Sequence, residues 1–150
     1  MKKLNLFLLL ISSFVFSQGI DDKKDMNLDL GAFSISLKVN DIKKSFEFYK
    51  KLGFTFKGGN IDENWVILNN GNTVIGLFQG HIDGNTLTFN PGWDQSAQNV
   101  NPFMDVREIQ KKLKTKDIKI EKEANEMSKG PEYIILKDPD GNTILIDQHR

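Results

Sequence analysis

The sequence contains no cysteine, two histidines, four prolines and no excess of either charge. Without cysteine there is no disulfide framework, Fe–S cluster, thiolate zinc site or cysteine nucleophile. Two histidines, His81 and His149, leave little material for a histidine-based site. Lys+Arg and Asp+Glu each number 20, so no basic surplus points to nucleic acid. No apolar run reaches the ~20 residues that span a bilayer. No P-loop, dinucleotide fingerprint or Ser-His-Asp arrangement is present. What remains is a chain of 150 residues, 39% hydrophobic and 27% charged, which suits one ordinary domain.

The N-terminus reads as a targeting signal. Met1-Lys2-Lys3 is a short basic start, and Leu4 to Phe16 is an almost unbroken apolar run. Ser17 ends it, with Val15 two positions earlier, so residues 1–17 match a secretory signal peptide cleaved before Gln18. No cysteine follows, which excludes a lipoprotein anchor. Removing Lys2 and Lys3 leaves 18 basic against 20 acidic residues, a net charge of −2. The expected mature protein is exported, periplasmic or secreted, and has no membrane association after cleavage. Residues 18–30 are polar and read as an N-terminal linker, and residues 31–150 as a single domain.

Within that domain the pattern strand-helix-strand-strand-strand occurs twice, about 55 residues apart. Phe33, Ile35, Leu37 and Val39 alternate with Ser34, Ser36 and Lys38, the period of a half-buried strand. Asn40 or Asp41 offers a helix cap. Ile42, Phe46, Tyr49 and Leu52 then fall at helical spacing before Gly53. Phe54–Phe56, Trp65–Leu68 and Thr73–Gln79 read as strands, separated by turns at Gly58-Gly59-Asn60 and Asn69-Asn70-Gly71-Asn72. In the second unit the strands are Thr86–Asn90, Ile118–Ile120, Tyr133–Leu136 and Thr143–Asp147. Its helix is capped by Asp105 and carries Val106, Ile109 and Leu113 on one face. A long loop, Pro91 to Phe103, separates its first strand from its helix. The expected class is α+β: two βαβββ modules forming a curved mixed sheet around a central cup, with the helices outside.

Three features together resemble the vicinal-oxygen-chelate superfamily of glyoxalase I, bleomycin-resistance proteins and extradiol dioxygenases. They are V-N-D-I-K-K-S-F-E-F-Y-K-K-L-G-F from Val39 to Phe54, D-P-D-G-N from Asp138 to Asn142, and the paired βαβββ order. The opening motif is one residue tighter than the family's before Leu52. The resemblance spans Gly31 to Gln148 and implies a cup in which four strands each offer one His, Glu or Gln to a divalent metal. Carried over residue by residue, those positions are Ser34, Gly76, Leu145, and either Thr86 or Gln98. None is a histidine or a carboxylate, so no metal and no other cofactor is expected.

Period-two alternation assigns the remaining faces. Ser34, Ser36, Lys38, Gly76, Phe78, Thr88, Asn90 and Asp147 are expected to line the cup, with one Lys38–Asp147 ion pair across it. Trp93, Asp94 and Gln95, on the long loop, either line the cup or plug it. His81 and His149 are read as solvated. The first functional reading is a non-metal binding module for a small organic molecule, as a monomer or homodimer. The second is an enzyme: a glyoxalase-type lyase or isomerase, or a dioxygenase, with divergent metal ligands, or a metal-free catalyst using Asp147, Asp94 or Lys38. The third is an interaction protein with no small ligand.

Overall fold

The computed structural model describes residues 27–150. The expected signal peptide, and the linker up to residue 26, lie outside the described residues. The first module is β1 (Ala32–Lys38), α1 (Ile42–Lys51), β2 (Thr55–Asn60), β3 (Trp65–Asn70) and β4 (Thr73–Phe78). The second is β5 (Thr86–Asn90), α2 (Val106–Thr115), β6 (Ile120–Lys122), β7 (Glu132–Lys137) and β8 (Thr143–Gln148). One mixed eight-stranded sheet results, in the order β2-β3-β4-β1-β5-β8-β7-β6. The fold is α+β, and a single chain supplies both halves of the sheet.

The seam between the modules is the antiparallel pair β1–β5, with Ser34 opposite Thr88 and Ser36 opposite Thr86. On either side of it the next neighbour is parallel, β4 beside β1 and β8 beside β5. Alternation along each strand divides the residues between two faces. Ile35, Leu37, Val66, Leu68, Ile75 and Leu77 pack with Ile42, Phe46 and Tyr49 of α1. Ile134, Leu136, Ile144 and Ile146 pack with Val106, Ile109 and Leu113 of α2. Each fully buried aliphatic side chain among them contributes about 1.5–3 kcal/mol. The helices thus cover one face of the sheet and leave the other for the cup. Leu28 and Leu30, at the end of the stretch read as a polar arm, pack against the α2 core.

Both helices start in the same way. Asp41 accepts the Lys44 N–H at 3.0 Å and Asp105 accepts the Arg107 N–H at 2.8 Å. Each also receives help from the end of its module's last strand. Gln79 Oε1 accepts the Ile42 N–H at 2.8 Å, and Gln148 Oε1 accepts the Val106 N–H at 2.8 Å. The D-P-D-G-N turn into β8 closes on Asp138, which accepts the Asn142 side-chain amide at 2.6 Å and the N–H groups of Asn142 and Asp140. Those bonds, the Asn142 amide first, hold its carboxyl below the usual range.

Most element ends fall within one or two residues of the sequence reading; the ends of β2 and the start of β6 differ for reasons the structure shows. Gly58-Gly59-Asn60, read as a turn, continues β2, whose register shifts between Phe56 and Gly58. The bulge falls at Lys57; Gly59, back in register opposite Val66, takes φ +95°, and a Cβ there would stand 2.7 Å from the Trp65 carbonyl oxygen, so the glycine permits close approach to β3 rather than a reversal. In the second module β6 begins at Ile120, not Ile118, because the Ile118 N–H still bonds the Leu113 carbonyl of α2 at 3.1 Å.

Candidate functional site

The face of the sheet opposite the helices encloses a cavity of about 850 Å³. Its floor is the β1–β5 seam, carrying Ser34, Ser36, Thr86, Thr88 and Asn90. The floor is polar but internally bonded: the Ser36 and Thr88 hydroxyls lie 3.1 Å apart, and Asn90 Nδ2 donates to the Asp147 carbonyl at 3.0 Å. One wall comes from the first module, through Lys57, Trp65, Ile67, Val74 and Phe78. The other comes from the second, through Ile135, Lys137, Leu145 and Asp147. Both tryptophans of the chain, Trp65 and Trp93, border the cavity.

The long loop after β5 lines the cavity and is tied down by its own side chains. Gln95 acts as a short extra strand beside Phe33: its Oε1 accepts the Phe33 N–H, and its Nε2 donates to the Phe33 carbonyl at 3.0 Å. The same Nε2 reaches the Asn72 carbonyl at 2.8 Å, and Lys57 Nζ donates to the Gln95 carbonyl at 2.8 Å. Asp94 Oδ1 accepts the N–H groups of Ser96 and Gln98, both at 2.9 Å. Gln95 and Asp94 therefore spend their polarity on holding the loop. Trp93 is fixed by an Nε1 bond to Asn99 Oδ1 at 3.2 Å.

Of the residues expected to line the cup, Ser34, Ser36, Phe78, Thr88, Asn90, Trp93, Asp94, Gln95 and Asp147 border the cavity. Lys38 and Gly76 do not. Lys38 Nζ donates to the Asp83 carbonyl at 3.2 Å, and no Lys38–Asp147 ion pair forms. Register explains the separation. Ser36 is level with Thr86 and Thr143, whereas Ile146 is level with Phe89, so Lys38 and Asp147 lie toward opposite ends of the strands. At Gly76 the space above the strand is filled: a Cβ would meet the Phe78 ring at 2.5 Å and Ile67 Cδ1 at 3.2 Å.

Both histidines are exposed, as read from the sequence, and both also border the cavity. His81 bonds the Glu63 carbonyl through Nε2 at 2.9 Å and meets the Phe78 ring edge-on. His149 lies flat on Trp93, with centroids 4.2 Å apart and planes 4° apart, and its Nε2 is 3.2 Å from Asp147 Oδ2. Nothing local in the sequence signals this. It depends on the loop returning to the end of β8.

A model of the Glyoxalase/Bleomycin resistance protein/Dioxygenase superfamily matches residues 32–146. The chain belongs to this superfamily. No curated protein sequence matches it significantly. Among solved structures it resembles a glyoxalase/bleomycin resistance protein/dioxygenase superfamily member from Vibrio splendidus 12B01. The identity is 18% over 77% of this chain and 97% of that one, with a TM-score of 0.54. A Legionella pneumophila structure described as an NAD-dependent benzaldehyde dehydrogenase shows 22% identity over 79% of this chain and 99% of that one, TM-score 0.59. An extradiol ring-cleaving dioxygenase from B. fuscum shows 19% identity over 81% of this chain and 33% of that one, TM-score 0.53. At these identities the likeness is one of fold.

The divalent metal implied by the superfamily does not fit the residues present. β5 starts at Thr86, and Gln98 lies in the loop beyond it, so the strand position in the second module is Thr86. The four positions then hold two hydroxyls, a glycine and a leucine. Among the described residues no three His, Asp or Glu side chains are grouped so as to hold a metal ion. The side chains that border the cup offer hydrogen bonding, stacking and proton exchange.

Proposed function

We propose that the protein is an exported superfamily member that binds a small, planar organic molecule in the cup without a catalytic metal. The observation that carries this reading is the exchange of donors for rings. The superfamily's ligand positions hold Ser34, Gly76, Thr86 and Leu145, while Trp65, Phe78, Trp93 and the two imidazoles border a cavity of about 850 Å³. That volume suits a small molecule, and flat rings with a few fixed polar groups bind planar ligands by stacking and orient them by hydrogen bonds. Export is supported by the order basic start, apolar run, small residue in residues 1–17.

Two measurements test the reading. Expression of the full chain in a secreting bacterial host, followed by N-terminal mass spectrometry, is expected to give a product beginning at Gln18; a retained Met1 overturns export. Thermal-shift and tryptophan-fluorescence screens with a library of planar compounds are expected to give saturable stabilisation with no added metal. Ligand binding that appears only with stoichiometric divalent metal overturns the metal-free reading.

A further inference from the structure

We propose that the cup takes an elongated ligand: two flat rings joined by a polar linker, with one ring held at each end of the cavity. The inference rests on the reading of the cup as a small-molecule site and names the class of molecule that fits it.

Strand register sets the two ends apart. Lys38 of β1 is level with Phe78 of β4, and Phe78 with Trp65 of β3, so Trp65 and Phe78 stand at one end of the strands. His81 joins them there, edge-on to the Phe78 ring. At the other end Ala32 is level with Asn90. The Trp93 N–H turns back onto the Asn90 carbonyl at 3.2 Å, and the Trp93 ring stacks on His149. Between the levels of Ala32 and Lys38, β1 is about 20 Å long. Each module therefore furnishes one aromatic end of a single cavity. No one flat ring reaches both.

The two ends offer the same chemistry. Trp65 Nε1 donates to Glu63 Oε2 at 3.4 Å, and Trp93 Nε1 to Asn99 Oδ1 at 3.2 Å. With those N–H groups engaged, each indole has ring surface left for a ligand, and both are only half-buried. The floor between them is polar. Ser34, level with Thr88, borders the cavity, and its hydroxyl has no hydrogen-bond partner among the described residues. A linker that carries an amide or a similar group finds a partner there, whereas a hydrocarbon linker leaves that hydroxyl unpaired.

The test uses a series of N,N′-dibenzoyl diaminoalkanes with successively longer methylene chains, and N-butylbenzamide as the single-ring half. Each is titrated by calorimetry into the protein purified from a secreting host, with no added metal. The best diamide is expected to bind at least about tenfold more tightly than the half, because its second ring binds at an effective concentration set by the linker. Affinity should pass through a maximum as the linker lengthens, with one diamide bound per protein against two halves. Trp65→Ala and Trp93→Ala should each bring the diamide down to the affinity of the half and leave a single half bound. Linker length and stoichiometry are read on wild type and decide the matter even where a variant does not fold. An affinity that climbs steadily with every added methylene, as hydrophobicity alone would give, overturns the two-ended assignment. So does a best diamide no tighter than the half, or a folded tryptophan variant that keeps the preference. In each of these cases the cup reading stands, since a single ring still binds. If wild type binds neither the diamides, the half nor any planar compound, the cup reading itself falls, and this assignment with it.

Discussion

Gln148 Oε1 accepts the Val106 N–H at 2.8 Å, so the end of the last strand caps the start of the second helix. Its Nε2 donates to Asp105 Oδ2 at 2.9 Å, and the side chain is buried. In the first module Gln79 does the same for Ile42. Gln148→Leu leaves the buried Val106 N–H without this partner and removes one donor from the half-exposed Asp105 carboxylate, and is expected to cost about 2–4 kcal/mol. Gln79→Leu, at a half-buried bond, is expected to cost about half as much. Urea unfolding of the two variants checks the size and the order.

Gly76 stands where the Phe78 ring folds back over the sheet. A methyl group there would sit 2.5 Å from Phe78 Cε2, so in Gly76→Ala the ring must swing away. The expected result is a stability loss of about 1–3 kcal/mol and weaker binding of planar ligands. Adding Phe78→Ala should recover stability relative to Gly76→Ala. Melting curves and fluorescence titration of the single and double variants measure both effects.

Gln95 ties the Trp93 loop to Phe33 and Asn72 through three hydrogen bonds. Gln95→Ala is expected to release that loop while leaving the two helical cores intact. Hydrogen exchange should accelerate by tenfold or more across residues 92–99 and remain unchanged in β3, β7 and α2. Uniform acceleration would show that the loop is not a separate unit.

Acid stability depends on the helix caps. Burial works against the Asp105 charge. The Arg107 N–H, then Gln148 and the Arg107 guanidinium, more than offset it and hold the carboxyl below its ordinary value. Asp41 is held low by the Lys44 N–H. A folded-state pKa below the unfolded one adds stability that is present above about pH 4 and disappears as pH falls through the folded value. Asp105→Asn should therefore lower stability at neutral pH and flatten its decline below pH 4. Urea midpoints taken from neutral pH down into the acid range test the sign.

Added zinc, manganese or nickel is expected to leave the melting temperature within a degree of that in chelator, since the donor positions hold hydroxyls and hydrocarbon. A saturable rise with one equivalent, lost in Thr86→Ala, would contradict this.

The architecture was legible because its signals are local. Alternation puts Ile35, Leu37 and Val39 on the helix side and Ser34 and Ser36 on the cup side, while Phe33, read as facing the helix, borders the cavity; aspartates open both helices where the sequence places them. Alternation gives a residue's face but not its height. Faces alone put Lys38 and Asp147 together, although register keeps them near opposite ends of strands about 20 Å long. Glycines in a strand can be read as a reversal or a close approach, and at Gly58-Gly59 only the register decides. The places of His149 and Gln95 were not legible at all, because each depends on a tertiary contact: one with Trp93, the other with β1.

The seam has one more consequence. β1 and β5 are the corresponding strands of their modules, and they meet antiparallel. That is the contact a twofold axis generates between identical partners. Two half-length copies could join along such an edge, so the short crossing from Phe78 to Thr86 builds into one molecule a pairing that symmetry would otherwise leave to association and concentration.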